Sequence, residues 1–207
     1  SFQQYGLVYT TAGNAGFITG LYVVFIPVVG LFLGQRNHYT IWIGVALALA
    51  GLYFLSVKEG FTINYGDYLA FVCALIWTAQ VLLMGHVAPR TDPIRTAIIQ
   101  FSICSFLSWI IAICVEEISL QPILDAAWPI LYGGIMSVGV GYTLQVFAQQ
   151  KAHPAYASII LSTESVFAVF GGWLLLKEVV TGKILLGCLL MLAGMIVVQV
   201  KGFTKYD

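Results

Sequence analysis

The chain has 207 residues, of which 60% are hydrophobic and 9% are Asp, Glu, Lys or Arg, and its mean hydropathy is +0.93. Soluble chains carry roughly 25% charged residues, so nine basic and nine acidic side chains cannot clothe a water-facing surface of this size. Formal net charge is zero and no basic cluster occurs, which removes nucleic acid as a partner class. The composition is that of a membrane protein, with the lipid bilayer as solvent.

Seven apolar runs follow one another, at about residues 16–33, 40–57, 68–88, 96–115, 128–149, 155–176 and 184–200, here called spans A to G. None shows the two-residue alternation of a membrane barrel strand. Continuous apolar runs satisfy their backbone in lipid only as helices, so the expected fold class is an all-α membrane protein with about seven helices. Lys and Arg in the connections give the orientation. Arg36, Arg90, Arg95, Lys151, Lys201 and Lys205 fall on one side, against Lys58, Lys177 and Lys183 on the other, which puts the C-terminus in the cytoplasm.

Cys73, Cys104, Cys114 and Cys188 each lie inside an apolar run, with no C-x-x-C spacing and no metal-ligand neighbours. They read as small core residues, and neither a metal nor a cofactor is expected. The opening SFQQYGLVYT has no basic n-region and no cleavage site, so no signal peptide is expected.

The sequence repeats on itself. A gap-free shift of 143 lays IWIGVALALAG (41–51) on ILLGCLLMLAG (184–194), matching Gly44 to Gly187, Ala50 to Ala193 and Gly51 to Gly194. Val57-Lys58 then falls on Val200-Lys201, and span A on span F. The shift covers five spans, an odd number, so matched helices cross the bilayer in opposite directions. That is an inverted repeat of the kind found in secondary transporters. Two five-span copies make ten spans, which places the start of the first copy roughly 80 residues before Ser1.

The pattern resembles the EamA-type transporters of the drug/metabolite transporter superfamily. In the first copy the resemblance rests on AGNAGFITGLYVVFIPVVGLFLGQR and IGVALALAGLYFL. In the second it rests on GDYLAFVCALIWTAQ, GYTLQVFAQQKAHPAYASIILSTESVFAVFGGWLLLKE and LGCLLMLAG. Gln35 departs from the family, which usually has an acidic residue at the position Glu178 fills in the second copy. The resemblance implies two inverted five-helix repeats, with residues 1–60 as a remnant of the first and 61–207 as the second. It also implies a secondary transporter that moves a small metabolite or amino-acid-like solute by alternating access in a bacterial inner membrane. The third and fourth helices of each repeat would line a central cavity.

Glu164 is the one charge deep in a span, about 15 Å from the start of its run at 1.5 Å per residue. A charge there costs at least about 2.5 to 3.5 kcal/mol. A carboxyl at that depth could exchange a proton between transport states, which would make protons the coupling ion, or it could be a structural acid hydrogen-bonded between helices. In span E, Ser137, Gly141, Gln145 and Gln149 recur every four residues, with Tyr142 at the edge of the stripe. The stripe suits either a wet cavity or amide bonding between helices. Gln100 in span D, and Gln80 with Trp77 in span C, are further candidates for the substrate site. Pro27 in span A and Gly171-Gly172 in span F are expected to interrupt matching helices, the pattern that marks a transport site.

Other readings fit less well. A seven-helix receptor or sensor is the alternative from the span count alone. A retinal protein needs a Lys inside its last span, but Lys183 and Lys201 only bracket span G. An intramembrane protease needs His or paired Asp at depth; His38, His86 and His153 sit at span ends, and Asp67, Asp92, Asp125 and Asp207 fall outside the spans. No enzyme is expected. A second copy of the chain remains a candidate partner.

Overall fold

A computed structural model describes residues 5–6, 8–10, 12–35, 37–56, 64–115, 120–177 and 179–202. Its helices are α1 (Ala12–Gly20), α2 (Tyr22–Phe32), α3 (Tyr39–Ser56), α4 (Tyr65–Val87), α5 (Pro93–Val115), α6 (Leu120–Asp125), α7 (Ala127–Tyr132), α8 (Thr143–Gln149), α9 (Pro154–Ser162), α10 (Glu164–Leu176) and α11 (Gly182–Gly202). No strand occurs among the described residues. Six helical stretches are long and apolar enough to cross a membrane: Ala15–Phe32, Tyr65–Arg90, Pro93–Cys114, Ala127–Gln149, Pro154–Leu174 and Gly182–Gln199. Span B forms α3, whose apolar core Tyr39–Leu55 is a little shorter. The protein is an all-α membrane protein.

By its internal packing the chain divides into a unit of residues 1–83 and 153–207 and a unit of residues 84–152. In the first, Val23, Ile41, Val45, Ala48, Ala155, Ile159 and Val198 form one buried cluster. Its tightest element is the crossing of α3 and α11. A Cβ on Gly51 would lie 2.7 Å from the Gly187 carbonyl oxygen, and one on Gly187 would lie 2.8 Å from that of Gly51. Gly44 and Gly194 face each other in the same way, at 3.2 and 2.9 Å. Small residues let membrane helices approach until backbone meets backbone, where dispersion contacts are densest. The glycines that carry the sequence repeat are therefore the ones that set this crossing. Ascending numbers on α3 meet descending numbers on α11, so the pair is antiparallel.

The matching interruptions differ from expectation. Pro27 is buried inside an unbroken α2, and its carbonyl accepts a hydrogen bond from Asn37 Nδ2 at 2.7 Å. Gly171 and Gly172 lie within α10, which runs straight through them. The breaks come earlier, at Leu21 between α1 and α2 and at Thr163 between α9 and α10. Hydroxyls bond backward beside both. Thr19 Oγ1 donates to the Ala15 carbonyl at 2.7 Å, Ser162 Oγ to Ile159 at 2.7 Å and Thr163 Oγ1 to Ile160 at 2.6 Å. Such back-bonding competes for helix carbonyls and bends the helix. Thr19 and Ser162 are 143 apart, so a hydroxyl stands before the break in both places.

The helix ends also correspond. Gly34, at φ +79°, closes α2, with the Gln35 N–H bonded to the Gly30 carbonyl and the Gly34 N–H to Leu31. This is the Schellman arrangement that favours glycine. Lys177, 143 residues on, ends α10 in the same left-handed region at φ +55°, where a side chain is strained by about 1 to 2 kcal/mol. At the start of α9, His153 Nδ1 accepts the Ala155 N–H at 3.4 Å, ahead of Pro154. Burial holds the His153 imidazole below its usual pKa, which favours the neutral ring.

The second unit has a small core of Met84, Ala88 and Val146. Gln150 Nε2 ties α8 to the preceding turn through the Ala88 and Thr91 carbonyls, at 3.3 and 3.2 Å. Only 6% of the Pro93–Cys114 stretch and 11% of Ala127–Gln149 are buried within the protein, so most of their apolar surface points outward. Between α7 and α8, Gly133–Tyr142 winds with the wider i→i+5 pattern. Four glycines leave this segment without side-chain locks: nothing lies within 4 Å of a Cβ built on Gly133 or Gly134.

Candidate functional site

In the first unit, Glu164 opens α10 directly after the Thr163 break, and it is exposed. The preceding turns are locked: Ser158 and Ser162 are buried, and Ser158 Oγ donates to the Ala155 carbonyl at 2.9 Å. The break thus hands the chain from a buried hydroxyl-bonded turn to an exposed carboxyl. Trp77 and Gln80 lie one turn apart on α4, both half-buried. The Trp77 ring packs against Tyr22, with centroids 6.4 Å apart. With Leu161, those two rings cover the buried cluster of Ile26, Val81 and Leu82. Leu161 is one helical turn before Glu164. Gln80 Oε1 is buried and accepts no hydrogen bond.

In the second unit, Gln145 and Gln149 are both buried, and Gln145 Nε2 donates to Gln149 Oε1 at 3.4 Å. Gln145 Oε1 and Gln100 Oε1 are buried with no donor. Tyr142 is half-buried and Ser137 is exposed. The expected four-residue stripe holds only for Gln145 and Gln149. Ser137 and Gly141 lie in the i→i+5 segment, where 100° per residue no longer applies, so their direction relative to the two glutamines is not that of a regular α-helix.

Tyr22 is a neighbour of the candidate residues that the sequence did not single out, because its pairing with Trp77 joins distant parts of the chain. The Thr163 break had a signal, the triplet Ser162-Thr163-Glu164, whose hydroxyls precede the acid. A buried acid, Asp67, accepts a hydrogen bond from Thr10 Oγ1 at 2.5 Å and from the Asn64 N–H at 2.9 Å, tying the first residues to the start of α4. Each of its carboxylate oxygens has a donor there. A 570 Å³ cavity lined by Trp173, Leu174, Lys177, Val179 and Val180 lies at the far end of α10, apart from Glu164. No group of His, Cys, Asp and Glu suited to a metal occurs among the described residues.

Residues 64–200 match the EamA-like transporter family, and the chain belongs to it. It is 34% identical, over 97% of its length, to an uncharacterized transporter of Archaeoglobus fulgidus, of which it spans 65%. It is 24% identical, over 92% of its length, to the uncharacterized transporter YoaV of Bacillus subtilis, spanning 67% of that protein. A crystal structure described only as that of a protein superposes with a TM-score of 0.81 at 19% identity, covering all of this chain and 73% of the other, a likeness of fold. The chain thus spans about two thirds of the length of these curated relatives.

Proposed function

We propose that the protein is a secondary transporter that carries a small metabolite or amino-acid-like solute across the cytoplasmic membrane by alternating access. Glu164 couples the movement to protons, and the C-terminus faces the cytoplasm. The observation that carries this reading is the exchange of contacts under the sequence repeat. Adding 143 to Gly44 and subtracting it from Gly194 gives Gly187 and Gly51, so one close glycine pair turns into the other. The side chain of Val198 meets Gly44 as that of Leu55 meets Gly187, again 143 apart. The back-bonded hydroxyls of Thr19 and Ser162 beside the two breaks, and the left-handed ends at Gly34 and Lys177, support the same two-fold relation. An inverted repeat gives two alternative arrangements of equivalent halves, one open to each side of the membrane. Residues 1–60 would then belong to one repeat and 61–207 to the other. In the first unit Trp77 and Gln80 are proposed to contact solute, and in the second unit, taken by itself, Gln145, Gln149, Tyr142, Gln100 and Ser137 are proposed for the same role.

Two-sided labelling tests alternating access. Ser165→Cys, next to Glu164, is placed in a background where Cys73, Cys104, Cys114 and Cys188 are replaced. An impermeant maleimide is expected to reach it from each face of the membrane in turn, with the ratio shifting under an imposed pH gradient. Reaction from one face only, under every gradient, contradicts the reading.

A further inference from the structure

The cavity at the far end of α10 has no part in the proposed solute path. Lys177 follows Glu164 by thirteen residues, about 20 Å of helix. The cavity measures about 570 Å³, within the roughly 300 to 1,000 Å³ of small-molecule sites. Four of its lining residues are apolar, Trp173, Leu174, Val179 and Val180, and the fifth is Lys177. Trp173, Leu174 and Val179 are each more than half exposed, an apolar wall open to the surroundings. The membrane-crossing stretch ends at Leu174, so wall and ammonium straddle the boundary between hydrocarbon and headgroups, the level at which Trp and Lys settle.

Lys177 is also the one non-glycine residue at positive φ among the described residues, at +55°. Its N–H donates to the Gly172 carbonyl as the helix ends. At the position 143 earlier, Gly34 takes the same left-handed region without the penalty that a Cβ brings. A turn alone is better served by glycine, so a strained lysine points to a use for its side chain. No carboxylate among the described residues pairs with it. The connection KEVVTGK (177–183) sets Lys177 and Lys183 against Glu178, a net positive stretch.

We propose that this cavity binds an anionic phospholipid, its phosphate meeting the Lys177 ammonium and the upper part of an acyl chain lying against Trp173, Leu174, Val179 and Val180. A free phosphate would take the charge and leave the apolar wall bare. A zwitterionic lipid would cover the wall, but its own ammonium offsets the phosphate that Lys177 attracts. The order of preference is therefore phosphatidylglycerol, then phosphatidylcholine with the same chains, then inorganic phosphate. One lysine at a membrane surface favours an anionic lipid by about fivefold. The proposal needs only the membrane placement of α10 and holds for any solute.

Native mass spectrometry of the full-length protein, titrated with phosphatidylglycerol and with phosphatidylcholine of matched chains, reads the first lipid bound. Phosphatidylglycerol is expected to bind about fivefold more tightly than phosphatidylcholine. Lys177→Gly relieves the turn and removes the ammonium, so it should erase that preference while the melting temperature of lipid-free protein in detergent holds or rises. Lys177→Arg should retain the preference. Lys183→Gln, which removes a charge of the same connection outside the cavity lining, should leave it in place. Equal binding of the two lipids, or a preference that survives Lys177→Gly, overturns the proposal. Full displacement of phosphatidylglycerol by millimolar inorganic phosphate does so too, because the site would then take a soluble anion. A lower melting temperature in lipid-free Lys177→Gly also counts against it, since the lysine side chain would then be holding the fold itself.

Discussion

Replacing Glu164 with Gln is expected to abolish the response of solute uptake to an imposed pH gradient. The amide keeps the shape of the side chain and can hydrogen-bond, but it can neither release a proton nor carry charge. Glu164 is the exposed residue at a helix break, next to turns whose hydroxyls are committed to their own carbonyls. Among the described spans no other Asp, Glu, Lys or Arg stands at its depth. Gradient-driven accumulation should fall by about tenfold or more, the scale of losing one hydrogen bond to a charged group, while slow exchange without a gradient persists at raised solute concentration. Glu164→Asp, which keeps the proton site on a shorter arm, should retain a gradient response. If Glu164→Gln couples as well as the parent protein, the carboxyl is structural and the proton enters elsewhere.

The second large effect lies in the α3–α11 crossing. Gly51→Ala places a methyl group 2.7 Å from the Gly187 carbonyl oxygen and 3.0 Å from the Met191 nitrogen. Both are backbone atoms, so no rotamer change relieves the clash and the helices must separate. Overpacking of this kind costs about 1 to 3 kcal/mol and sometimes more, and separation also removes contacts along the whole crossing. A fall of about 3 to 10 °C in the detergent melting temperature is expected. Gly187→Ala meets the Gly51 oxygen at 2.8 Å and should cost about the same. Because both substitutions press on one crossing, the double variant should lose less than the sum. Gly16→Ala is the control: nothing lies within 4 Å of the added methyl, and alanine favours helix, so melting should hold or rise. An unchanged melting temperature in Gly51→Ala would mean that the crossing is looser than these distances.

The same glycines show why parts of this fold can be read from sequence. Gly44 and Gly51, like Gly187 and Gly194, lie seven apart, and a run with no polar side chain except at its ends leaves little else for them to do than bring two backbones together. Span limits were equally legible, because charged, Pro and Gly residues bound each apolar run; span F was expected at 155–176, and its apolar helix is Pro154–Leu174. The helix breaks were not. Pro27 and Gly171 are conspicuous letters, yet one missing N–H in a buried helix is tolerated when its neighbourhood supplies other bonds, and a glycine bends nothing by itself. Beside the breaks the Thr19, Ser162 and Thr163 hydroxyls bond backward, a local competition that composition does not reveal.

The site shows the same division. Glu164 stood out because a lone acid in an apolar run is costly wherever it sits. Gln145 and Gln149 kept the spacing expected of them and bond to one another. Ser137 and Gly141 did not, because the glycine-rich stretch that contains them winds more widely than an α-helix and changes the angle between successive side chains. Tyr22 was invisible for a different reason: its meaning comes from Trp77, 55 positions away in the chain.

Transport itself is measured most directly by solute accumulation in proteoliposomes carrying the full-length protein, with amines and amino acids supplied one at a time across an imposed pH gradient. Saturable, gradient-dependent movement of at least one of these solutes is expected, lost when a protonophore collapses the gradient. Protein that melts cooperatively in the same vesicles, yet moves none of these solutes above protein-free vesicles in either direction, would contradict it.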